Sequence, residues 1–324
     1  MDMRVRRVDW DIVERDKYDR VVSLTVWPRS TSDSRPSIFL VPIDGSSASL
    51  SAMNVALRLA DQQSNAEFHL INVQAIGGDD ALDNSVERQG LLETEAARDL
   101  LDGAQKSYQL HIATGSAANV IHDYARMHNV AEIVIGSHGT SYLERFLMGS
   151  VATDVVCRAD VPVTLVKSRD RAGTFPAEWV DWLIPFDGSP AALRAVRYVI
   201  RHVSPLESVP KLHLLNVRPA GAADVDKPFA IDWVGHHPPP VRHWADSKGR
   251  FDKAIDLLEM AKLPFDVHED AGIAADKILE AIKRHGCGHV AMGTRGLGTL
   301  GSLVLGSVSR SVVQRAAIPV TLIK

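Results

Sequence analysis

One glycine and serine pattern, present twice, has the residue types and spacing best suited to chemistry. A glycine is followed after two residues by a second glycine, and nine residues later by a glycine and a serine. The pattern occurs at Gly136, Gly139, Gly149 and Ser150, and 157 positions later (293 − 136 = 157) at Gly293, Gly296, Gly306 and Ser307. Glycines let backbone N–H groups approach a ligand, and a helix N-terminus offers unpaired N–H donors and a positive dipole end. The pattern therefore suits a phosphate group.

A purely structural explanation of these glycines stays open, because a tight strand-to-helix turn needs glycine with or without a ligand. Each copy follows an apolar run and precedes a helical pattern that begins at Val151 or Val308. Ser150 and Ser307 stand at the helix start, where a hydroxyl can cap the helix or donate to a phosphate oxygen. The nine intervening residues differ between the copies while the corners agree, which favours a shared ligand.

An aspartate ends the first apolar strand of each copy. Asp44 and Asp187 correspond at an offset of 143 (187 − 44), and each is followed by Gly-Ser. Aspartate in this position is also typical of a turn or a helix N-cap. The matched position in both copies favours a ligand role. The second strands of the two copies end at Val73 and Val217, beside these aspartates in the predicted sheet.

Apolar strands alternate with amphipathic helices throughout each copy. Continuous apolar runs such as residues 38–43 are typical of strands buried on both faces of a parallel sheet. Five such βα units predict an α/β fold with a doubly wound five-stranded parallel sheet in each copy, and a ligand beyond the carboxyl ends of the strands. One predicted helix runs from Leu91 to Ala104, and residues 20–27 predict a strand at a sheet edge or on a partner chain. The second copy carries an insertion of 13 residues (157 − 144) between Val217 and Gly272.

Composition excludes several other classes of protein. The chain has 324 residues, 45% of them hydrophobic, which is about two domains' length with ample core. Its net charge of −4 provides no basic field, so we expect no nucleic-acid partner. Without an apolar run of about 18–20 residues or a signal-peptide core, we expect no membrane partner and a cytoplasmic location. The two cysteines indicate no disulfide framework.

These motifs resemble those of the universal stress protein family in a tandem form, over residues 36–324. The resemblance implies two adenine-nucleotide alpha-hydrolase-like domains that form a pseudo-dimer within one chain. The implied division is an N-terminal arm at 1–35, domain 1 at 36–168, a linker at 169–178 and domain 2 at 179–324. The family associates through its fifth strand, so Pro162 to Val166 and Pro319 to Ile323 are predicted to pair within the chain, and a homodimer stays open.

The resemblance also implies an ATP or AMP site in each copy, with Mg²⁺ accompanying ATP. The aspartates and the two residues before them would contact adenine and ribose, the second strand's end would meet adenine, and the glycine corners would hold ribose and phosphates. The implied residues are Pro42, Ile43, Asp44, Val73, Gly136, His138, Gly139, Gly149, Ser150 and Val151 in the first copy, and Pro185, Phe186, Asp187, Val217, Gly293, Arg295, Gly296, Gly306, Ser307 and Val308 in the second. Arg295 can pair with phosphate at any pH, whereas His138 does so strongly only when protonated.

The resulting hypothesis is a nucleotide-binding regulatory module of the stress response rather than primarily an enzyme, because no general base or nucleophile set can be assembled. Slow ATP hydrolysis, with Asp44 or Asp187 near the metal, is the first alternative. The second is a nucleotide-free interaction protein that uses its arm and the 218–250 loop. His236, His237 and His243 favour a solvated loop over zinc, and His69 and His213 favour structural hydrogen bonds.

Overall fold

The computed structural model describes residues 12–15, 21–26, 36–60, 65–74, 82–138, 148–168, 181–203, 209–219, 230–231, 249–294 and 305–324. Its strands are β1 (Ile12–Arg15), β2 (Val21–Val26), β3 (Ser37–Pro42), β4 (Ala66–Gln74), β5 (Tyr108–Thr114), β6 (Glu132–Gly136), β7 (Val163–Val166), β8 (Trp182–Pro185), β9 (Leu212–Arg218), β10 (Ala230–Ile231), β11 (Phe265–Ala271), β12 (His289–Gly293) and β13 (Val320–Ile323). Its helices are α1 (Ser47–Ala60), α2 (Leu82–Gly103), α3 (Ala117–Met127), α4 (Ser150–Arg158), α5 (Pro190–Val203), α6 (Asp252–Met260), α7 (Ala274–His285) and α8 (Ser307–Arg315).

All the strands of this part of the chain join one sheet, in the order β1-β2-β5-β4-β3-β6-β7-β13-β12-β8-β9-β11-β10. Five neighbouring strands in each half, β5 to β7 and β13 to β11, are mutually parallel. In the first half the chain winds outward from β3 to β4 and β5, and then crosses to β6 on the other side. The predicted fold class, two tandem doubly wound five-stranded units, is therefore confirmed.

Helices cover both faces of the sheet, and alternate strand residues enter two separate cores. Phe39 and Val41 belong to the core that also contains residues of α1, α2, α5 and α6, whereas Leu40 belongs to the core that contains residues of α3, α4, α7 and α8. All three side chains are at most 1% exposed. Burial on both faces explains why these strands are continuous apolar runs in the sequence. Within the described residues no helix combines the length and apolar character needed to cross a bilayer.

The two halves meet through the antiparallel pair of β7 and β13, in which Thr164 stands opposite Thr321. The two threonine hydroxyl oxygens are 2.6 Å apart and buried. Two lysine contacts flank this pair symmetrically, because Lys167 Nζ donates to the carbonyl of Gln314 and Lys324 Nζ to that of Cys157. The predicted pairing of fifth strands within the chain is present.

The sheet extends beyond the parallel strands at its outer edges. The strand predicted at 20–27 is β2, which pairs antiparallel with β5 and carries β1 at its other edge. At the opposite end β10 pairs antiparallel with β11. Both outer additions are antiparallel hairpin-like strands, so neither changes the parallel units that hold the candidate site.

The predicted start of the second helix at Leu91 was wrong, because α2 begins at Leu82. Gly90, which weakens the helical pattern there, lies inside the helix. A Cβ atom at Gly90 would stand 2.8 Å from the Ile112 side chain of β5 and 3.0 Å from Asn72 Oδ1. Glycine is present because the helix packs closely against the sheet, and its low helix propensity is the cost of that contact.

Candidate functional site

A cavity of about 440 Å³ opens at the carboxyl ends of β3, β4 and β6, where the strand order reverses. Its volume lies within the ~300–1,000 Å³ typical of small-molecule sites. Its lining includes nine of the residues predicted for the first copy: Pro42, Ile43, Asp44, Val73, Gly136, His138, Gly149, Ser150 and Val151. The tenth, Gly139, lies outside the described residues. Residues from three strand ends and one helix start are thus brought together.

Backbone hydrogen bonds fix the two ends of the glycine loop to each other. Ser137 N donates to the carbonyl of Val166 at 2.7 Å, and Gly149 N donates to the carbonyl of Ser137 at 2.8 Å. A Cβ atom at Gly149 would lie 3.3 Å from Ser137 O, and one at Gly136 would lie 2.9 Å from the backbone of Ala48. Both glycines therefore have a packing role, as the structural explanation requires.

Residues at the start of α4 line the cavity. Gly149 is the N-cap residue and accepts the first intrahelical bond from Thr153 N at 2.9 Å. Because glycine has no side chain, it cannot cap the first-turn N–H groups. Ser150 follows as the first helical residue, and its side chain is exposed. N–H donors with a positive dipole end are the chemistry that binds an anion.

Asp44 and Asp187 form the same turn in both halves. Asp44 Oδ1 accepts from Ser46 N at 3.0 Å, and Asp187 Oδ1 accepts from Ser189 N at 2.9 Å. Gly45 lies between the bonded pair with a φ of +75°, in the left-handed region that favours glycine. The turn role of the two aspartates is thus present, and their ligand role stays a prediction.

Two asparagines that were not predicted as site residues hold the strand ends in place. Asn72 Nδ2 donates to the carbonyl of Ile43 at 2.7 Å, and Asn216 Nδ2 donates to that of Phe186 at 2.7 Å. Both asparagines are at most 2% exposed. Each bond ties the residue before the aspartate to the neighbouring strand. The signal was present in the sequence, because Asn precedes the matched valine at the end of the second strand in both copies.

The second half has a smaller cavity, of about 140 Å³, at the equivalent strand ends. The predicted residues that line it are Pro185, Phe186, Asp187, Val217, Gly293 and Val308. Gly306 is the N-cap of α8 and Ser307 its first residue, and Gly306 N donates to Thr294 O at 3.0 Å as in the first half. Phe186 occupies the position that Ile43 has in the first half. The larger phenylalanine side chain takes more space. Arg295 and Gly296 lie outside the described residues, as do His236, His237 and His243.

The two sites also differ in the charged residue behind the strand-end asparagine. Asn72 Nδ2 donates to Glu93 Oε2 at 2.8 Å in the first half. Arg250, at the corresponding position (250 − 93 = 157), donates to Asn216 Oδ1 at 2.9 Å in the second. The same scaffold therefore carries opposite charges in its two copies. Neither difference follows from the glycine motif, which is common to both.

Comparisons with known proteins agree on one family. The family model described as the universal stress protein family matches residues 37–167 and again residues 182–324. Universal stress protein YxiE of Bacillus subtilis is 32% identical over 146 residues, covering 40% of this chain and 97% of that protein. A universal stress protein of Mycobacterium tuberculosis is 27% identical over 195 residues, covering 59% of this chain and 61% of that protein. A solved universal stress protein of Archaeoglobus fulgidus shares the fold with a TM-score of 0.65 at 21% identity, covering 90% of this chain and 99% of that one.

Proposed function

The chain belongs to the universal stress protein family, and from this premise we propose that it binds an adenine nucleotide, ATP or AMP, as a regulatory module of the stress response in the cytoplasm. Each half contributes one site at the carboxyl edge of its parallel strands. The nucleotide would act as the signal, with protein partners reading the bound state.

The first cavity carries this proposal, because its two ends offer different chemistry. Ile43, Ile71 and Val73 give one part an apolar wall that suits an adenine ring. At the N-terminus of α4, where no side chain of the described residues caps the helix, N–H donors give the other part chemistry that suits phosphates. Asp44 lies between them with a carboxylate that suits a ribose hydroxyl. A triphosphate would bring Mg²⁺, which prefers phosphate and carboxylate oxygens.

We propose further that the first site binds more tightly than the second. The cavity of about 440 Å³ accommodates a nucleotide, whereas that of about 140 Å³ has to widen first. Widening the second cavity costs free energy, and this cost weakens the nucleotide affinity of the second site. The first half should therefore retain nucleotide through purification when the second has lost it.

The test places a negative charge where the phosphates would lie. Ser150→Asp and Ser307→Asp each put a carboxylate on an exposed first-turn residue, where an acidic side chain also stabilises the helix. Titration calorimetry with ATP and AMP should show an affinity at least 10-fold weaker for the tight site in Ser150→Asp. Ser307→Asp should leave that site unchanged and weaken the second. Ser150→Ala is the control, since it keeps the backbone donors and should lower affinity only a few-fold.

Nucleotide released by denaturing the wild-type protein measures occupancy directly. We expect about one nucleotide per chain after purification and a second site on titration. Unaltered affinity in Ser150→Asp would contradict phosphate binding at α4. The absence of both released nucleotide and calorimetric binding would favour the nucleotide-free interaction protein. Released nucleotide that changes from ATP to ADP or AMP with time would favour slow hydrolysis.

A further inference from the structure

Three histidines occupy corresponding positions in the two halves, away from the cavities described above. His69 and His213 correspond at an offset of 144 (213 − 69). His111 and His268, and likewise His128 and His285, correspond at an offset of 157 (268 − 111; 285 − 128). We call these the first and the second histidine cluster. Since the same three imidazoles are repeated, the difference between their surroundings is informative.

In the first cluster a tyrosine stands among the imidazoles. Tyr124 donates or accepts a hydrogen bond at 2.9 Å with His69 Nδ1. Its ring stacks on His128 with centroids 4.0 Å apart and contacts His111 at 4.9 Å. The structural role predicted for His69 agrees with this contact. The phenol ring occupies the space between the three histidines.

The second cluster has no such ring, because Ala281 takes the place of Tyr124 (281 − 124 = 157). One nitrogen from each of His213, His268 and His285 lies within 4.8 Å of the other two. His213 Nδ1 and His268 Nε2 are 3.0 Å apart. His285 Nε2 is buried and makes no hydrogen bond to the described residues. Three imidazole nitrogens therefore converge on one small volume.

Carboxylates surround the second cluster as they surround histidine metal sites. Asp181 Oδ2 lies 3.4 Å from His213 Nε2, which leaves His213 Nδ1 to face the cluster. Such a carboxylate orients a histidine and raises its basicity as a metal ligand. Asp266 Oδ2 lies 3.7 Å from His213 Nδ1 and pairs with Lys211 Nζ at 2.7 Å. An oxygen ligand or a water is thus in reach to complete four-fold coordination.

From this geometry we propose that the second histidine cluster, His213, His268 and His285, binds one Zn²⁺ ion, and that the first cluster does not. Zn–N distances of about 2.0–2.1 Å in a tetrahedral site separate two ligand nitrogens by about 3.3 Å. The 3.0 Å between His213 and His268 needs only a small outward shift to reach this value. His285 is partly exposed, so the cluster lies near solvent.

The proposed zinc site lies at the opposite end of the strands from the proposed nucleotide site. His213 is the second residue of β9 and Val217 the sixth, so about 13 Å of strand separates them. Zinc binding is therefore independent of the nucleotide proposal, and either can fail without the other.

The experiment uses the full chain without a histidine tag, stripped of metal with a chelator and titrated with Zn²⁺ by calorimetry. Metal content after dialysis should be one Zn²⁺ per chain. His285→Gln should lose this ion, and Ala281→Tyr should lose it as well because it restores the ring of the first cluster. Asp181→Asn should weaken zinc affinity by about 10- to 100-fold. Co²⁺ in place of Zn²⁺ should give the visible absorption of a tetrahedral site in the wild type and not in His285→Gln.

Two controls decide between this cluster and other histidines. His128→Gln alters the first cluster at the position matching His285 and should leave one Zn²⁺ per chain. The triple variant His236→Gln, His237→Gln and His243→Gln removes the loop histidines and should also retain it. Zinc that persists in His285→Gln, that disappears in the loop variant, or that never binds to the wild type would overturn the proposal. His285 is half-buried at a helix end, so its variant should fold even if Ala281→Tyr does not.

Discussion

At the scale of single residues, the two roles of Asp44 can be separated by substitution. Asp44→Asn keeps the side-chain oxygen that accepts from Ser46 N but removes the charge. Asp44→Ala removes both, and loss of the turn bond should cost about 1 kcal/mol of the free energy of unfolding. We expect the nucleotide affinity of the first site to fall at least 10-fold in Asp44→Ala. Calorimetry and chemical denaturation of the same samples measure the two effects.

The asparagine variant distinguishes the possible causes of that loss. If the carboxylate itself contacts ribose or the metal, Asp44→Asn will lose most of the affinity while its stability stays close to the wild type. Wild-type affinity in both variants would limit Asp44 to its role in the turn. Asp187→Asn is the matched control, because it should leave the first site unaffected.

From the sequence, the glycine corners and the aspartates of the candidate site could be predicted only because both copies agree at those positions. The glycine corners and the aspartates were found because they recur at fixed offsets, and the structure brings Asp44, Gly136, Gly149 and Ser150 of the first copy to one cavity. Asn72 recurs as Asn216 but was not predicted as a site residue, because recurrence alone does not show that its side chain reaches the carbonyl of Ile43, 29 residues away in the chain. The charge difference between Glu93 and Arg250 could not be assigned to a site, since nothing local shows that either side chain reaches the strand-end asparagine.

At the scale of secondary-structure elements, the two glycines of α2 should respond oppositely to alanine. A Cβ atom at Gly90 would press on Ile112 at 2.8 Å, whereas one at Gly103 has nothing within 4 Å. Gly90→Ala should therefore destabilise the protein by about 1–3 kcal/mol through overpacking. Gly103→Ala should be neutral or stabilising by up to about 1 kcal/mol, from helix propensity. Urea denaturation followed by circular dichroism compares them, and equal effects would contradict close packing at Gly90.

The same contact explains why the start of α2 was wrongly predicted. Helical periodicity is readable over Leu91 to Ala104, but a glycine ahead of it is ordinarily a sign of helix weakness. Only the tertiary contact with β5 shows that Gly90 is inside the helix. In contrast, the parallel strands were predictable from the local sequence pattern alone, because burial on both faces leaves a continuous apolar run.

At the scale of the whole molecule, a buried polar network holds the two halves together. Glu132 of the first half accepts from Tyr198 of the second at 2.9 Å and from Thr164 at 2.6 Å. His202 Nε2 lies 3.4 Å from its other oxygen. Glu132 is 2% exposed, so the loss of any one partner leaves its buried carboxylate with fewer compensating contacts. Tyr198→Phe should cost about 1–3 kcal/mol of the free energy of unfolding.

A double-mutant cycle shows whether this cost belongs to the contact between the halves. Tyr198→Phe and Glu132→Gln should be non-additive, with a coupling of about 0.5–3 kcal/mol measured by chemical denaturation. Additive effects would mean that the two residues act separately. The sequence predicted that the fifth strands pair, but the participants of this network come from β6, β7 and α5 and could not be associated without the fold.

The antiparallel pair of β7 and β13 joins two halves of one chain, and this makes the assembly insensitive to dilution. Two separate chains joined by such a strand pair would fall apart as their concentration dropped, and their stability would depend on the amount of protein present. Here both partners are encoded in one polypeptide, so their encounter is unimolecular and its effective concentration is set by the connecting residues. A scarce protein built in this way keeps its two halves in a fixed one-to-one ratio, whatever its concentration.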